Sequence, residues 1–146
     1  MIALSPRSVS QRQSTISFAS TLYLSPILDL LLAEVPPAWQ LELRLGLQEA
    51  LVNAAKHGNC LDPEKQVCVQ FFVFEDQYWW IITDQGRGFC PDEQCTCDRD
   101  LTLTEEEPGE CGRGLYIMYQ IFDQIYWNEQ GTELRLCKRI KGQPLF

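Results

Sequence analysis

One domain that combines helices with antiparallel strands is the architecture this sequence predicts, and three observations carry it. The chain has 146 residues, the length of one domain. A domain of that size removes roughly 68–70% of its unfolded surface from water, so a core forms without staples. Two runs rich in β-branched and aromatic residues, VCVQFFVFED and YWWIITDQG, follow each other closely enough to form an antiparallel hairpin. Residues 38 to 57, AWQLELRLGLQEALVNAAKH, are rich in Leu, Ala and Glu and contain no proline, which favours a long helix.

Taken in order, the first fourteen residues are polar and aperiodic and read as a loose tail, leaving residues 15–146 as a single domain. The stretch STISFASTLYL alternates and predicts an opening strand near residues 15 to 21. Ser25 and Pro26 form a helix-start signature, with Ser25 as N-cap and Pro26 as the first helical residue. That helix should run to Val35 and end at Pro36 and Pro37, with Ile27, Leu28, Leu31, Leu32 and Val35 on one apolar stripe that suits a core or a dimer surface. In the next helix the alternation of Leu41 to Leu47 also suits a strand, but the Ala-rich continuation and Gly58 as a stop favour the helix. The hairpin follows, and then RGFCPDEQCTCDRDLTLTEEEPGECGRG, a long stretch with little apolar content of the kind that forms functional lids. GLYIMYQIFDQIYW reads as a third helix running into a strand near Gln124 to Asn128, and GTELRLCKRI as a last strand.

Composition narrows the function classes. Hydrophobic residues at 45% and charged residues at 22% are those of a folded globular protein. Twenty acidic against twelve basic residues give a net charge of −8, with no dense basic cluster, which argues against direct nucleic-acid binding. No apolar run approaches the roughly 20 residues that span a bilayer, so no membrane segment is expected. Seven cysteines are an odd number in a domain large enough to do without bridges, and no signal-peptide core precedes them. Reduced thiols in a cytoplasm fit that pattern.

Three short segments carry candidate chemistry. In EALVNAAKHGN, Glu49 and Asn53 lie four residues apart and therefore project to one side of the helix. A carboxylate beside an amide oxygen suits a site where the amide helps coordinate Mg²⁺ and the carboxylate orients or deprotonates a nucleophile. A solvated helix face carries such pairs too. In ITDQGRGF, Asp84 leaves a strand ahead of Gly86 and Gly88. A carboxylate there can accept from an exocyclic amine such as that of adenine, and glycines let backbone approach a flat ring; a plain glycine turn is the bland alternative. The third glycine and the following helix of a dinucleotide fingerprint are missing. In GECGRGLYIM, Gly112 and Gly114 open a helix, whose free N–H groups suit a phosphate, with Arg113 between them as a further charge.

In this order, and closed by the Gly131–Thr132 pair at the last strand, the three segments resemble the Bergerat-fold (GHKL) ATPases, the superfamily of gyrase and the histidine kinases. The resemblance covers residues 15 to 140. Within that superfamily EALVNAAKHGN, GRGLYIM and the short chain look like the anti-sigma factor serine-protein kinases. The resemblance implies an α/β two-layer sandwich, with a mixed, mostly antiparallel sheet, helices on one face, and ATP between helices and lid. It implies Glu49 as catalytic base, Asn53 as Mg²⁺ ligand and Asp84 as the contact to the adenine amine. Gly86 and Gly88 would line the base pocket, Gly112, Arg113 and Gly114 would seat the phosphates, and Thr132 would lie near the adenine. The implied partners are a STAS-type anti-anti-sigma protein, phosphorylated on serine, and a sigma factor or other regulator, with a homodimer possible in such a family.

Cys90, Cys95, Cys97 and Cys111 in or beside the lid depart from that pattern. Their spacing lacks the paired Cys-x₂-Cys of common zinc sites, so uninvolved reduced thiols are expected over a metal or redox role. His57, the one histidine, suits a helix C-terminus. The competing function class is a module that uses ATP to set its conformation and binds a regulator without phosphorylating it. Glu49 favours the enzyme, since a pure nucleotide switch needs no base.

Overall fold

A computed structural model of the chain describes residues 12–88 and 110–146, with side chains described from residue 13 in the first stretch and from residue 114 in the second. The elements are β1 (Arg12–Ala19), α1 (Ser25–Leu31), α2 (Pro37–Val52), a π-helical turn (Asn53–Gly58), β2 (Gln66–Phe74), β3 (Gln77–Thr83), α3 (Glu110–Ile121), β4 (Gln124–Trp127) and β5 (Glu133–Arg139). The strands form one five-stranded sheet in the order β1-β2-β3-β5-β4. The α/β two-layer architecture is as expected. The sheet is more uniform than the mixed, mostly antiparallel one expected, since every pairing among the described residues is antiparallel. The β3–α3–β4 connection gives two strands of the same direction, but β5 folds back between them and pairs with both, which removes the parallel contact.

Local departures have identifiable causes. β1 starts at Arg12, ahead of the 15–21 expected, because its register with β2 runs from Arg12 opposite Val73 to Ala19 opposite Gln66. Leu24, not Ser25, is the N-cap of α1, with no side-chain capping bond. The Ser25 hydroxyl instead accepts from Arg44 Nη2 at 3.0 Å. The helix stops at Leu31, four residues short of Val35. The Gln40 amide donates to the Leu32 and Val35 carbonyls at 3.2 and 2.9 Å, holding that stretch as a turn. The apolar stripe of α1 is core: Leu28, Leu31, Leu32 and Val35 are buried.

Alternation along the strands sends Val67, Val69, Phe71, Trp80, Ile82, Leu134 and Leu136 to one face, where they meet Leu43, Leu47, Leu51, Met118 and Ile121 from the helices. The adjacent tryptophans straddle the sheet as their spacing predicts. Trp80 is fully buried, donating to the Leu31 carbonyl at 3.4 Å and packing edge-on to Phe122. Trp79 lies on the other face, stacked with Phe72 and Tyr126 at ring separations of 6.1 and 6.5 Å.

One buried ion pair ties the two site helices to the sheet. Glu42 on α2 is 1% exposed, and its Oε2 lies 3.2 Å from Nζ of Lys138 on β5. The same ammonium donates to the Ile121 carbonyl at 2.9 Å, where α3 ends, and sits 5.2 Å from the Trp39 ring centroid. The Leu145 N–H donates to the other Glu42 oxygen. Removing one partner of such a pair strands the other charge away from water, so Lys138→Ala is expected to lose about 3–5 kcal/mol in urea unfolding. The double substitution Glu42→Leu/Lys138→Met should recover most of that loss, because desolvation of both charges goes with it.

The thiols divide. Cys68 and Cys137 are free, whereas Cys60 is disulfide-bonded, a correction to the expectation of reduced thiols throughout. Burial, and then the nearby Asp123 carboxylate, push the Cys137 thiol up to about 11. Cys90, Cys95, Cys97 and the Cys111 side chain, and residues 89–109 of the expected lid, lie outside the described residues. Among the described residues no helix is long and apolar enough to cross a membrane, and no cluster of three or more His, Cys, Asp or Glu side chains is placed to hold a metal ion.

Candidate functional site

The site begins where α2 changes pitch. At Asn53 the α-helix widens into the π-helical turn that ends at Gly58. Such single turns insert one residue per turn and re-aim the side chains on them. Asn53 is 8% exposed, and its Nδ2 has no hydrogen-bond partner among the described residues. Glu49, one turn earlier, is half-buried. A Cβ at Gly114 on α3 would stand 2.8 Å from Glu49 Oε1. The glycine therefore lets the helix pass directly against the carboxylate. Gly114→Ala should push that flexible carboxylate aside without unfolding the chain: in a thermal melt the midpoint stays within about 2 °C of wild type.

Asp84 closes the opposite side. It follows β3, and its backbone N–H donates to the Thr132 carbonyl at 2.9 Å. Its Oδ1 accepts from the Gly86 N–H at 2.8 Å. Burial raises the Asp84 carboxyl above its ordinary 3.8, and the Gly86 N–H and the Lys65 charge offset part of that rise. Gly58 gives the carboxylate room, since a Cβ there would fall 2.5 Å from Asp84 Oδ2. Gly86 is equally constrained: its Cβ would lie 1.8 Å from the Gly58 carbonyl oxygen. Gly88 has φ +112°, a backbone conformation that L side chains rarely adopt.

Between these walls lies a small, half-open cleft lined by Ala50, Asn53, Ala54, Ile82, Asp84, Trp127, Thr132 and Leu134. Its surface is apolar and aromatic with three polar side chains, the pattern of sites that take a flat, mostly apolar ring and orient it by a few contacts. Thr132 is fixed from both ends, its N–H donating to Asn128 Oδ1 at 2.9 Å and its Oγ1 accepting from Asn128 Nδ2 at 3.2 Å.

The structure thus brings Asn53, Asp84 and Thr132 into one cleft and sets Glu49 against Gly114. Gly86 and Gly88 are not in its lining; they shape the turn behind Asp84. The helix expected to open at Gly112 begins at Glu110, so Gly112 and Arg113 sit in its first turn and Gly114 lies one turn in. Trp127 and Leu134 are lining residues that sequence spacing does not single out. Nothing distinguishes them from core until β4 and β5 are laid side by side.

The family model described as a histidine kinase-like ATPase domain matches residues 27–138. The chain belongs to this family. The match takes in α1 through β5, and with it Glu49, Asn53, Asp84, Gly114 and Thr132. The chain is 30% identical over 108 residues to the serine-protein kinase RsbW of Bacillus subtilis (strain 168), a match that covers 70% of this chain and 66% of that protein. It is 26% identical over 108 residues to the protein of the same name from Staphylococcus epidermidis, covering 70% and 67%. The match thus spans about two thirds of the length of these relatives. A solved structure of the mycobacterial sensor histidine kinase MprB superposes with a TM-score of 0.46 at 19% identity, covering 92% of this chain and 100% of that one.

Proposed function

We propose that this chain is an ATP-dependent protein-serine kinase that acts as an anti-sigma regulatory factor in the cytoplasm. It phosphorylates a serine of a STAS-type anti-anti-sigma antagonist, and it sequesters a sigma factor when that antagonist is absent. The observation that supports this reading most is the single cleft in which Asp84 and Thr132 face Asn53, with Glu49 one helical turn beyond and against α3. Family membership and likeness to proteins named serine-protein kinases point the same way.

The base of ATP lies on the apolar wall of Ala50, Ala54, Ile82 and Leu134, and Asp84 accepts a hydrogen bond from its exocyclic amine beside the Thr132 hydroxyl. Gly112, Arg113 and Gly114 hold the phosphates through the first turn of α3, where backbone N–H groups and the helix dipole favour anions. Mg²⁺ suits a hard oxygen donor, and the Asn53 amide oxygen beside the cleft would help hold it. When bound, the ion neutralises charge on the transferring phosphoryl group. Asn53 would hold the ion, and Glu49 orients the serine hydroxyl of the partner and takes its proton as the Oγ–P bond forms and the bond from the γ-phosphorus to the β–γ bridging oxygen breaks, releasing ADP.

The test is incubation of the purified chain with Mg²⁺, γ-labelled ATP and a STAS protein from the same cell. One phosphate per STAS chain, on serine, is the expected result. Nucleotide-dependent binding of that protein with no label transferred would remove the kinase activity and leave a binding module.

A further inference from the structure

The base-reading carboxylate stands on a turn that contains no regular structure, and one buried side chain holds that turn in place. Asn59, directly after the π-helical turn, is 0% exposed. Its Oδ1 accepts from the Gln85 N–H at 2.7 Å, one residue beyond Asp84. Its Nδ2 donates to Ser20 Oγ at 2.9 Å, at the end of β1, and to the Gln66 carbonyl at 3.0 Å, at the start of β2. The clasp closes on itself, because Ser20 Oγ donates to the Lys65 carbonyl at 2.9 Å and the Gln66 N–H donates to Gln85 Oε1 at 2.7 Å.

The backbone around Asn59 is bent to make this possible. Cys60 and Leu61 carry φ of 53° and 58°, left-handed values that cost a non-glycine residue roughly 1–2 kcal/mol each. The Asn59 N–H donates to the Ala54 carbonyl at 2.9 Å and the Leu61 N–H to the Ala55 carbonyl at 2.8 Å, which hold the chain through the bend. A buried amide with both donor and acceptor engaged, followed by two left-handed residues, thus ties the turn after Asp84 to the ends of β1 and β2, and that turn lies close against the Gly58 carbonyl.

We propose that Asn59 is a positioning residue for base recognition: it sets the Asp84 carboxylate, through the Gln85 N–H, in the orientation that meets the exocyclic amine of the nucleotide. The inference rests on the assignment of Asp84 to that amine. Gln85 itself is exposed, with its side chain turned to the Gln66 N–H, so the effect on Asp84 passes through the backbone of the turn.

The experiment compares affinities of the full chain for ATP and for purine riboside triphosphate, which lacks the 6-amino group. Thermal melts are run alongside. Wild type should prefer ATP. Asn59→Ala should weaken ATP binding roughly five- to tenfold and leave the analogue within about twofold of wild type. In an Asp84→Asn background the same substitution should cost nothing further. Ser20→Ala, which trims the clasp at its half-buried edge, should lower ATP binding alone by about two- to threefold, and it answers the question if Asn59→Ala does not fold. Equal losses for both nucleotides, or losses that multiply with Asp84→Asn, would overturn the positioning role. A wild type that binds both nucleotides equally, with no response to Asp84→Asn, would overturn the base assignment first and the role of Asn59 with it.

Discussion

Glu49→Gln is expected to lower phosphotransfer to the STAS substrate by about 10²–10⁴-fold, the range a positioned general base supplies. ATP affinity should stay within about twofold of wild type. The asymmetry follows from where the carboxylate sits. It is half-buried on the flank of α2 that passes Gly114, and it does not line the cleft formed by Asn53, Asp84 and Thr132. Gln preserves its shape and its ability to accept a hydrogen bond and removes its basicity, so binding and proton acceptance separate. Single-turnover labelling at saturating ATP reads the chemical step, and equilibrium titration reads binding. A variant that transfers phosphate at the wild-type rate would strip Glu49 of the catalytic role. One that loses ATP binding to the same extent would make it a ligand-binding residue instead.

The local chemistry of the site was legible in sequence because helical and strand periods are local. Four-residue spacing puts Glu49 and Asn53 on one side of a helix, and the run of β-formers ending at Thr83 puts Asp84 at a strand end. What was not legible depends on partners far along the chain. Insertion of β5 between β3 and β4 decides that the described strands pair antiparallel throughout, and no period in any one strand encodes a neighbour. The π-helical turn begins at a residue with ordinary helical spacing, so the sequence gives no sign that Asn53 is re-aimed there. Asn59 reads as one polar residue in a turn, yet two of its three side-chain partners are 39 and 26 positions away. Lys138 shows the intermediate case: the alternation of Leu134 and Leu136 already points it inward, but only the structure supplies Glu42 and the end of α3.

Asp84→Asn should separate stability from function in the opposite sense to a core substitution. In the folded chain burial raises the Asp84 carboxyl above 3.8, so the fold favours its neutral form. A group whose folded pKa lies above its unfolded value contributes stability that is fully present below the unfolded pKa and lost as pH rises through the folded pKa. Without nucleotide, wild type should therefore lose stability as pH climbs through the raised Asp84 pKa, and the Asn variant should lack that component. At pH 7 the variant should unfold at higher urea concentration than wild type, and the difference should vanish below pH 3.8, where the carboxyl is neutral in both states. Its amide oxygen still accepts from the Gly86 N–H, so the turn is retained. ATP affinity should move the other way, falling about ten- to hundredfold, because a charge-assisted bond to the exocyclic amine is replaced by a neutral one in a partly dry cleft. Urea titrations across pH, paired with ATP binding at pH 7, read both arms. A wild type more stable than the variant at pH 7 without nucleotide would show that the desolvated charge costs the fold nothing, and unchanged ATP affinity would remove Asp84 from base recognition. The two together fit a surface carboxylate at a strand end, and the opposite pair fits a carboxylate that the fold strains to keep charged because its ligand needs it so.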